Sequence, residues 1–263
     1  VKKKYKLFLP LIAYGGVCYV DYAMSLMSFV LKCKAKGIDL SIHPITFESL
    51  ISRGRNASIA FALQDPDYTH VIFFDADVVF SADDAVRLLE ADKDVCVGTY
   101  PKKYLNETKV LTALETLKGP KKKDWALYST DFSTEITKES IAGVLRGDRT
   151  VEVDYAATGF MCIKTRVFKK IVRERPDLKY TNDIDGYTGG GDNFYDFFSV
   201  GVNPVSKKYE SEDYGFCQLW RSLGGKIDLI PDITLTHRGT QGYSGNLNKQ
   251  ISHYYGNVIK PAG

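Results

Sequence analysis

Apolar positions along the chain fall into short runs that alternate between two spacings. Leu7 to Ala13 is nearly all apolar, which predicts a strand buried on both faces. Tyr14-Gly15-Gly16 follows as a turn. Val20, Ala23, Met24, Met27, Val30 and Leu31 then recur at helical spacing, so a helix over Val17–Lys36 is expected to lay that stripe on the sheet, with Gly37 closing it. Leu40 to Thr46 supplies a second strand. Strand, helix, strand opens a βαβ unit and points to an α/β fold.

Arg53-Gly54-Arg55-Asn56-Ala57 leads into a second helix over Ile59–Leu63, which Asp65-Pro66-Asp67 breaks. An Arg-Asn pair beside a helix start can offer donors to a base or phosphate, although plain surface placement explains it equally well. The strongest pattern comes next, Thr69 to Phe80, read as THVIFFDADVVF. Val71 to Phe74 form an unbroken apolar run that ends abruptly in Asp75 and Asp77, before Val78 and Val79. On an extended segment side chains alternate, so the two acids should leave on one side while Ala76 points away. At ~6 Å and an effective dielectric of ~20 their repulsion is on the order of 3 kcal/mol, which a hard divalent cation such as Mg²⁺ or Mn²⁺ would relieve. Open α/β sheets also bind ligands outside the carboxyl ends of their strands. The same Asp-x-Asp spacing at Asp65/Asp67, Asp92/Asp94 and Asp183/Asp185 lies in polar stretches and reads as solvated turn acids.

Ser81 to Asp84 has the spacing of a capping box for a helix to Leu89, and Val95 to Thr99 is another buried strand. From Tyr100 to about Thr150 the chain is polar and weakly periodic, so long loops with one short helix are expected there. Patterning returns with strands at Val151–Tyr155 and Gly159–Ile163 and a helix over Thr165–Arg173. Thr181 to Gly191, rich in Gly, Asp and Asn, reads as a mobile loop. Ser211-Glu212-Asp213-Tyr214 opens a further helix, with Ser211 as N-cap and Phe216, Leu219, Trp220 and Leu223 as its buried stripe, before Gly224-Gly225 stops it. Acids in a first turn also have an ordinary explanation in the helix dipole. After a strand over Ile227–Ile230 comes Leu235-Thr236-His237-Arg238-Gly239, and His237 is the best candidate ligand among the four histidines.

Composition narrows the function classes. At 263 residues and 44% hydrophobic content a substantial core is possible, and a net charge of +3 is too mild to imply nucleic-acid binding. Lys2–Lys4 and Lys121–Lys123 read as solvated surface. The five scattered cysteines lack a Cys-x-x-Cys pair, which predicts reduced thiols in a cytoplasmic protein. No transmembrane run or signal-peptide h-region is present, and the initial Val suggests a trimmed N-terminus.

Taken in order, Pro10–Gly16, Ser52–Asn56, FFDADVVF, Gly98–Lys103, TGFMCIKTRVF, SEDYGFCQLWR and LTHRG resemble a metal-dependent glycosyltransferase of the GT-A fold, similar to sugar-nucleotide transferases of bacteria and large viruses. The resemblance spans nearly the whole chain. It implies an α/β, Rossmann-like domain over 1–263, with a mostly parallel central sheet flanked by helices, residues 1–100 forming the nucleotide-sugar half and 101–263 the acceptor half. It implies Mn²⁺ or Mg²⁺ on Asp75, Asp77 and His237. Tyr14, Arg53, Arg55, Asn56, Asp75 and Lys103 would border the nucleoside-diphosphate sugar. Asp213 would act as base on a glycan or glycoconjugate hydroxyl, with Glu212 contacting the acceptor and configuration inverting. Gln218-Leu219-Trp220-Arg221 departs from the Gln-x-x-Arg-Trp pattern of processive synthases, which implies transfer of one sugar. The implied location is cytoplasmic, in the host cytoplasm if the source is viral.

Two rivals stand beside this. Asp75-Ala76-Asp77-Val78-Val79 also fits a haloacid dehalogenase-type phosphohydrolase, with Asp192 and Asp196 as its later acids, although the nucleophile strand there sits nearer the N-terminus. The other is a non-catalytic sugar-nucleotide-binding module.

Overall fold

The computed structural model describes residues 5–256, so Lys2–Lys4 lie outside the described residues. The chain opens with β1 (Lys6–Ala13), α1 (Val20–Lys36), β2 (Asp39–Thr46), α2 (Ile51–Ala62) and β3 (His70–Phe74). A short β4 (Val78–Val79), α3 (Ala82–Glu90) and β5 (Val95–Val97) follow. The middle holds α4 (Glu107–Thr116), β6 (Thr134–Glu135), α5 (Lys138–Arg146), β7 (Val151–Val153) and β8 (Tyr155–Ala156). Then come β9 (Phe160–Lys164), α6 (Thr165–Glu174), β10 (Gly201–Val202), β11 (Tyr209–Glu210) and α7 (Glu212–Ser222). The described chain closes with β12 (Ile227–Leu229), β13 (Thr234–Arg238), β14 (Gly242–Asn246) and α8 (Leu247–Tyr255).

Seven strands form the central sheet in the order β2-β1-β3-β9-β5-β12-β7. Five point the same way; β9 and β7 run against them. This is the expected α/β class with a mostly parallel sheet between helices. The unbroken apolar run of β3 has a direct cause: Val71 and Phe73 enter the core beneath α2, α6 and α7, while Ile72 and Phe74 enter the one beneath α1 and α3. At the tip of β3, Phe74 packs on Phe80, Phe160 and Phe29 at 4.3, 5.0 and 5.3 Å between ring centres. Each buried ring contributes roughly 1.5–3 kcal/mol, and the Tyr22 hydroxyl donates to the Phe74 carbonyl. The residue after this clamp is Asp75.

Several expectations change. On α1 the buried face is Tyr22, Ser25, Phe29 and Cys33, whereas Val20, Met24, Met27 and Leu31 are 77%, 56%, 59% and 67% exposed. The helix carries two apolar stripes. The sheet took the one with two aromatic rings, whose Ser25 hydroxyl also accepts from Phe80 N. Residues 101–150 contain two α-helices, α4 and α5, and between them a 3-10 helix over Gly119–Tyr128, in place of loops with one short helix. Asn106 caps the first, and a reciprocal Thr137/Ser140 box with Gly147 in the left-handed region bounds the second. The 181–191 stretch packs instead of hanging free: Tyr187 is buried, with its hydroxyl donating to Glu48. Ser211 sits at the N-cap of α7 but makes no capping bond. No helix among the described residues is long and apolar enough to cross a membrane.

Candidate active site

The carboxyl ends of β1, β2 and β3 meet around a cavity of about 550 Å³. Tyr14 and Gly15 come from the turn after β1, Glu48 and Ser49 from the exit of β2, and Asp75, Ala76 and Asp77 from the end of β3. Gly16, at φ +67, turns the chain so that its N–H bonds the Ala13 carbonyl. Phe47 takes a left-handed conformation at φ +60, and its N–H donates to the Tyr14 carbonyl at 2.9 Å, tying two lips of the cavity together. Such a conformation costs a non-glycine residue of order 1 kcal/mol or more and collects at functional sites.

The two acids arrive by a turn, not by continued strand. Val78 N bonds the Asp75 carbonyl at 2.9 Å, and β4 leaves to pair with β13 in a second sheet. Strict alternation is therefore lost, and Ala76 lines the same cavity as both acids. Each acid also has protein cations. Arg55 Nη2 lies 3.1 Å from Asp75 Oδ1, and Lys103 Nζ lies 2.6 Å from Asp77 Oδ2. His237 Nε2 is 3.5 Å from that same oxygen, while its Nδ1 faces the Pro101 carbonyl at 2.9 Å. The repulsion that the sequence assigned to a divalent ion is thus partly answered within the chain.

Arg55 is the centre of a second cluster. Helix α2 begins at Ile51, ahead of Arg53, so the arginines and Asn56 lie within the helix and not before it. Arg55 is buried; besides Asp75 it approaches Glu212 Oε1 at 3.5 Å and Asp213 Oδ1 at 3.9 Å. Three carboxylates thus share one guanidinium. Burial pushes the Asp75 carboxyl up, Arg55 pulls it back, and Asp213 and Asp77 push it further up. Glu212 is raised by burial and by Asp213, against Arg55. Burial pulls the Arg55 guanidinium down, but the charges of Asp75, Asp213 and Glu212 more than offset that and raise it above the ordinary value. Asp77 differs: burial raises its carboxyl, while hydrogen bonds from His237 and Lys103 bring it below the ordinary value.

The other predicted residues separate. Tyr14 is exposed on the cavity rim. Arg53 donates twice to Glu48 at 2.8 Å. Asn56 is buried, giving its amide N–H to Asp196 and accepting from Phe198 N, so it holds the 196–198 segment and is not brought to the cavity wall. Asp213 Oδ1 accepts from Thr158 N at 3.0 Å, and Oδ2 has no hydrogen bond among the described residues.

Three participants were missed. Glu48 lines the cavity and accepts from Arg53, Tyr187 and Leu50 N; its place at the carboxyl end of β2 was the available signal. Tyr100 is buried against the acid cluster, and burial followed by Asp75 and Asp213 pushes its hydroxyl well above the ordinary value. Gly159 leaves no room for a side chain: its carbonyl accepts from Asp75 N, and a methyl there would overlap Asp75 Oδ2 and fall 2.6 Å from the Tyr100 hydroxyl.

Among the described residues no group of three or more His, Cys, Asp or Glu is gathered as a metal cage. Asp77 and His237 nevertheless supply a carboxylate, the donor type that suits Mg²⁺ or Mn²⁺, and beside it an imidazole as a second, nitrogen ligand. Lys103, whose side chain is 40% exposed, is the group such an ion would displace.

No model of a known protein family matches the chain, and no curated protein matches it in sequence. Among solved structures, A197 from STIV is 16% identical over 89% of this chain and 86% of its own, with a TM-score of 0.46. The inositol-1-phosphate CTP transferase from T. maritima is 10% identical over 97% and 99%, with a TM-score of 0.41. The Mn/GDP form of core-mannan synthase A from Aspergillus fumigatus is 9% identical over 90% and 75%, with a TM-score of 0.31. Likeness this distant says nothing of what the present chain binds or transfers.

Proposed function

We propose that the chain is a metal-dependent glycosyltransferase that moves one sugar from a nucleoside-diphosphate sugar to an acceptor hydroxyl. The observation that carries this reading is the meeting, through Arg55, of the cavity acid Asp75 with Glu212 and Asp213 from the far end of the sequence. One acid group borders a cavity fit for a nucleotide, and the other supplies a base beside it.

The donor occupies the cavity between Tyr14, Glu48 and Asp75. The N-terminal ends of α1 and α2 border it through Tyr19 and Ile51, and helix N-termini favour phosphate. Asp77 and His237, with Asp75 beside them, would hold Mn²⁺ or Mg²⁺, which when bound stabilises charge on a departing diphosphate. The acceptor oxygen attacks the anomeric carbon as the bond from that carbon to the diphosphate oxygen breaks, its electron pair leaving with the nucleotide. Asp213 Oδ2 takes the acceptor proton, while Thr158 N and Arg55 hold Oδ1. Attack from the face opposite the leaving group inverts configuration.

A phosphohydrolase would need Asp192 or Asp196 beside the same acids. Both Asp196 oxygens are already engaged, Oδ1 by Asn56 and Oδ2 by Ser199, which weighs against that rival.

The test is calorimetry with a panel of nucleoside diphosphates and sugar nucleotides, with and without Mn²⁺, followed by product analysis. Asp77→Ala should lose Mn²⁺-dependent donor binding. Asp213→Asn should keep donor binding and lose transfer by at least about 100-fold. Absence of sugar-nucleotide binding under both conditions would overturn the reading, and pyrophosphate release from a nucleoside triphosphate would replace it with nucleotidyl transfer.

A further inference from the structure

Helix α1 carries a face that the sheet did not take. Its exposed apolar residues Val20, Met24, Met27 and Leu31 recur at spacings of four, three and four, the alternation by which one helix seats its side chains between those of another. Val30 widens the stripe, and Val17 stands exposed just ahead of the first turn. No charged residue occurs between Asp21 and Lys32, although a helix facing solvent normally turns charged side chains outward. Ser28, the polar residue on this face, is already satisfied within the helix, its hydroxyl donating to the Met24 carbonyl at 2.8 Å. At roughly 60–100 Å² apiece, the six apolar side chains offer on the order of 400–600 Å² per copy, close to the ~600 Å² per partner at the low end of stable dimers.

The spacing reads the same from either end. A two-fold axis set between Met24 and Met27 therefore pairs Val20 with Leu31 of a second copy and Met24 with its Met27, so the patch is complementary to itself. Charge selects the antiparallel sense. Lys32, Lys34 and Lys36 crowd the last turns, while Asp21 marks the first. Antiparallel helices set each lysine end beside the other copy's Asp21 end and oppose the two helix dipoles, whereas parallel ones would press both lysine sets together. A lipid surface fits less well. Lys32 is paired with Asp83 and Lys36 with Glu90, which leaves Lys34 alone of the three without an ion pair among the described residues. That falls short of the basic cluster that holds a helix to anionic lipid.

We propose that this face joins two copies of the chain, α1 against α1 in antiparallel register about a two-fold axis between Met24 and Met27. The inference stands apart from the transferase reading, because none of Val20, Met24, Met27 and Leu31 borders the cavity at Asp75. An interface this small predicts a dimer in reversible exchange with monomer.

Sedimentation of the full chain over a range of micromolar concentrations should show that exchange. Met27→Lys, at an exposed position, should weaken dimerisation at least about 100-fold and leave the thermal midpoint of dilute protein unchanged, and Leu31→Gln should weaken it less. Spin labels read the register. With Cys18, the one exposed cysteine among the described residues, replaced by serine, labels on Lys34→Cys should sit about 25 Å or more apart in the antiparallel dimer, against roughly 10 Å in a parallel one. A monomer at every concentration, a dimer unaffected by both substitutions, or labels at the shorter distance would overturn the proposal. So would a monomer that floats with phosphatidylserine and phosphatidylcholine vesicles and loses them on Met27→Lys, which would assign the face to a membrane.

Discussion

Replacing Arg55 with methionine isolates the charge that the site is built on. Methionine keeps the stem that packs near Phe73, whose ring centre lies 5.3 Å from the guanidinium carbon. It leaves Asp75, Glu212 and Asp213, now 3.1, 3.5 and 3.9 Å from the guanidinium, with no counter-charge among them. At an effective dielectric of ~20 each gross attraction is on the order of 4–5 kcal/mol, but carboxyls take up protons when the cation goes. Removing one partner of a buried ion pair costs about 3–5 kcal/mol net. With a urea slope near ~3 kcal/mol per molar, the midpoint at pH 7 should fall by about 1–1.7 M. The sign of the pH dependence follows from the direction of the shifts. Asp75 and Glu212 are already raised, and losing Arg55 raises them further. A carboxyl raised on folding contributes stability fully below its unfolded pKa and loses it as pH rises through the folded one. The gap between variant and wild type should therefore be small near pH 4 and widen toward pH 8. Arg55→Lys, which keeps the charge and loses the fork, should fall between them. Equal midpoints at pH 7, or a gap independent of pH, would refute the account of this cluster.

Two further outcomes are expected. Gly159→Ala forces a methyl onto Asp75 Oδ2 and the Tyr100 hydroxyl; overpacking of about 1–3 kcal/mol should lower the calorimetric midpoint by roughly 3–9 °C, and an unchanged midpoint would mean that Asp75 is free to move aside. At Asp131, burial opposes ionisation, but hydrogen bonds from Lys109, Asn106 and Tyr104 hold the carboxyl at about 2. A depressed carboxyl contributes stability above its unfolded pKa and loses it as pH falls, so Asp131→Asn should be less stable than wild type at pH 7 by on the order of 1–2 kcal/mol, after allowance for solvent at a partly exposed group. The difference should close between pH 4 and 2 in parallel denaturant titrations.

What could be read from the residues depended on whether the cause was local. β3 was legible because burial on both faces leaves an unbroken apolar run, and its end was visible because two acids cannot continue it. The turn at Asp75–Val78 was not, since the same letters suit an extended strand until β13 is known to claim β4. On α1 the competing stripes are both apolar, and only the contact of Phe29 with Phe74 decides between them. Helices α4 and α5 carry their signals in Asn106 and Thr137, not in periodicity. Arg55 was singled out for a nucleotide, but its role as the link between Asp75 and α7 depends on residues far apart in sequence. Glu48 was within reach of the rule that led to Asp75, had that rule been applied to β2.

The place of β9 sets a timetable. It lies between β3 and β5, yet it is synthesised after both, so the two earlier strands leave the ribosome with unsatisfied edges. Gly159, immediately before β9, supplies the carbonyl that fixes Asp75 N. The rim of the cavity at Asp75 is consequently finished only when the later half of the polypeptide threads into the earlier one, and a chain interrupted before that moment carries the acids without the geometry that fixes them.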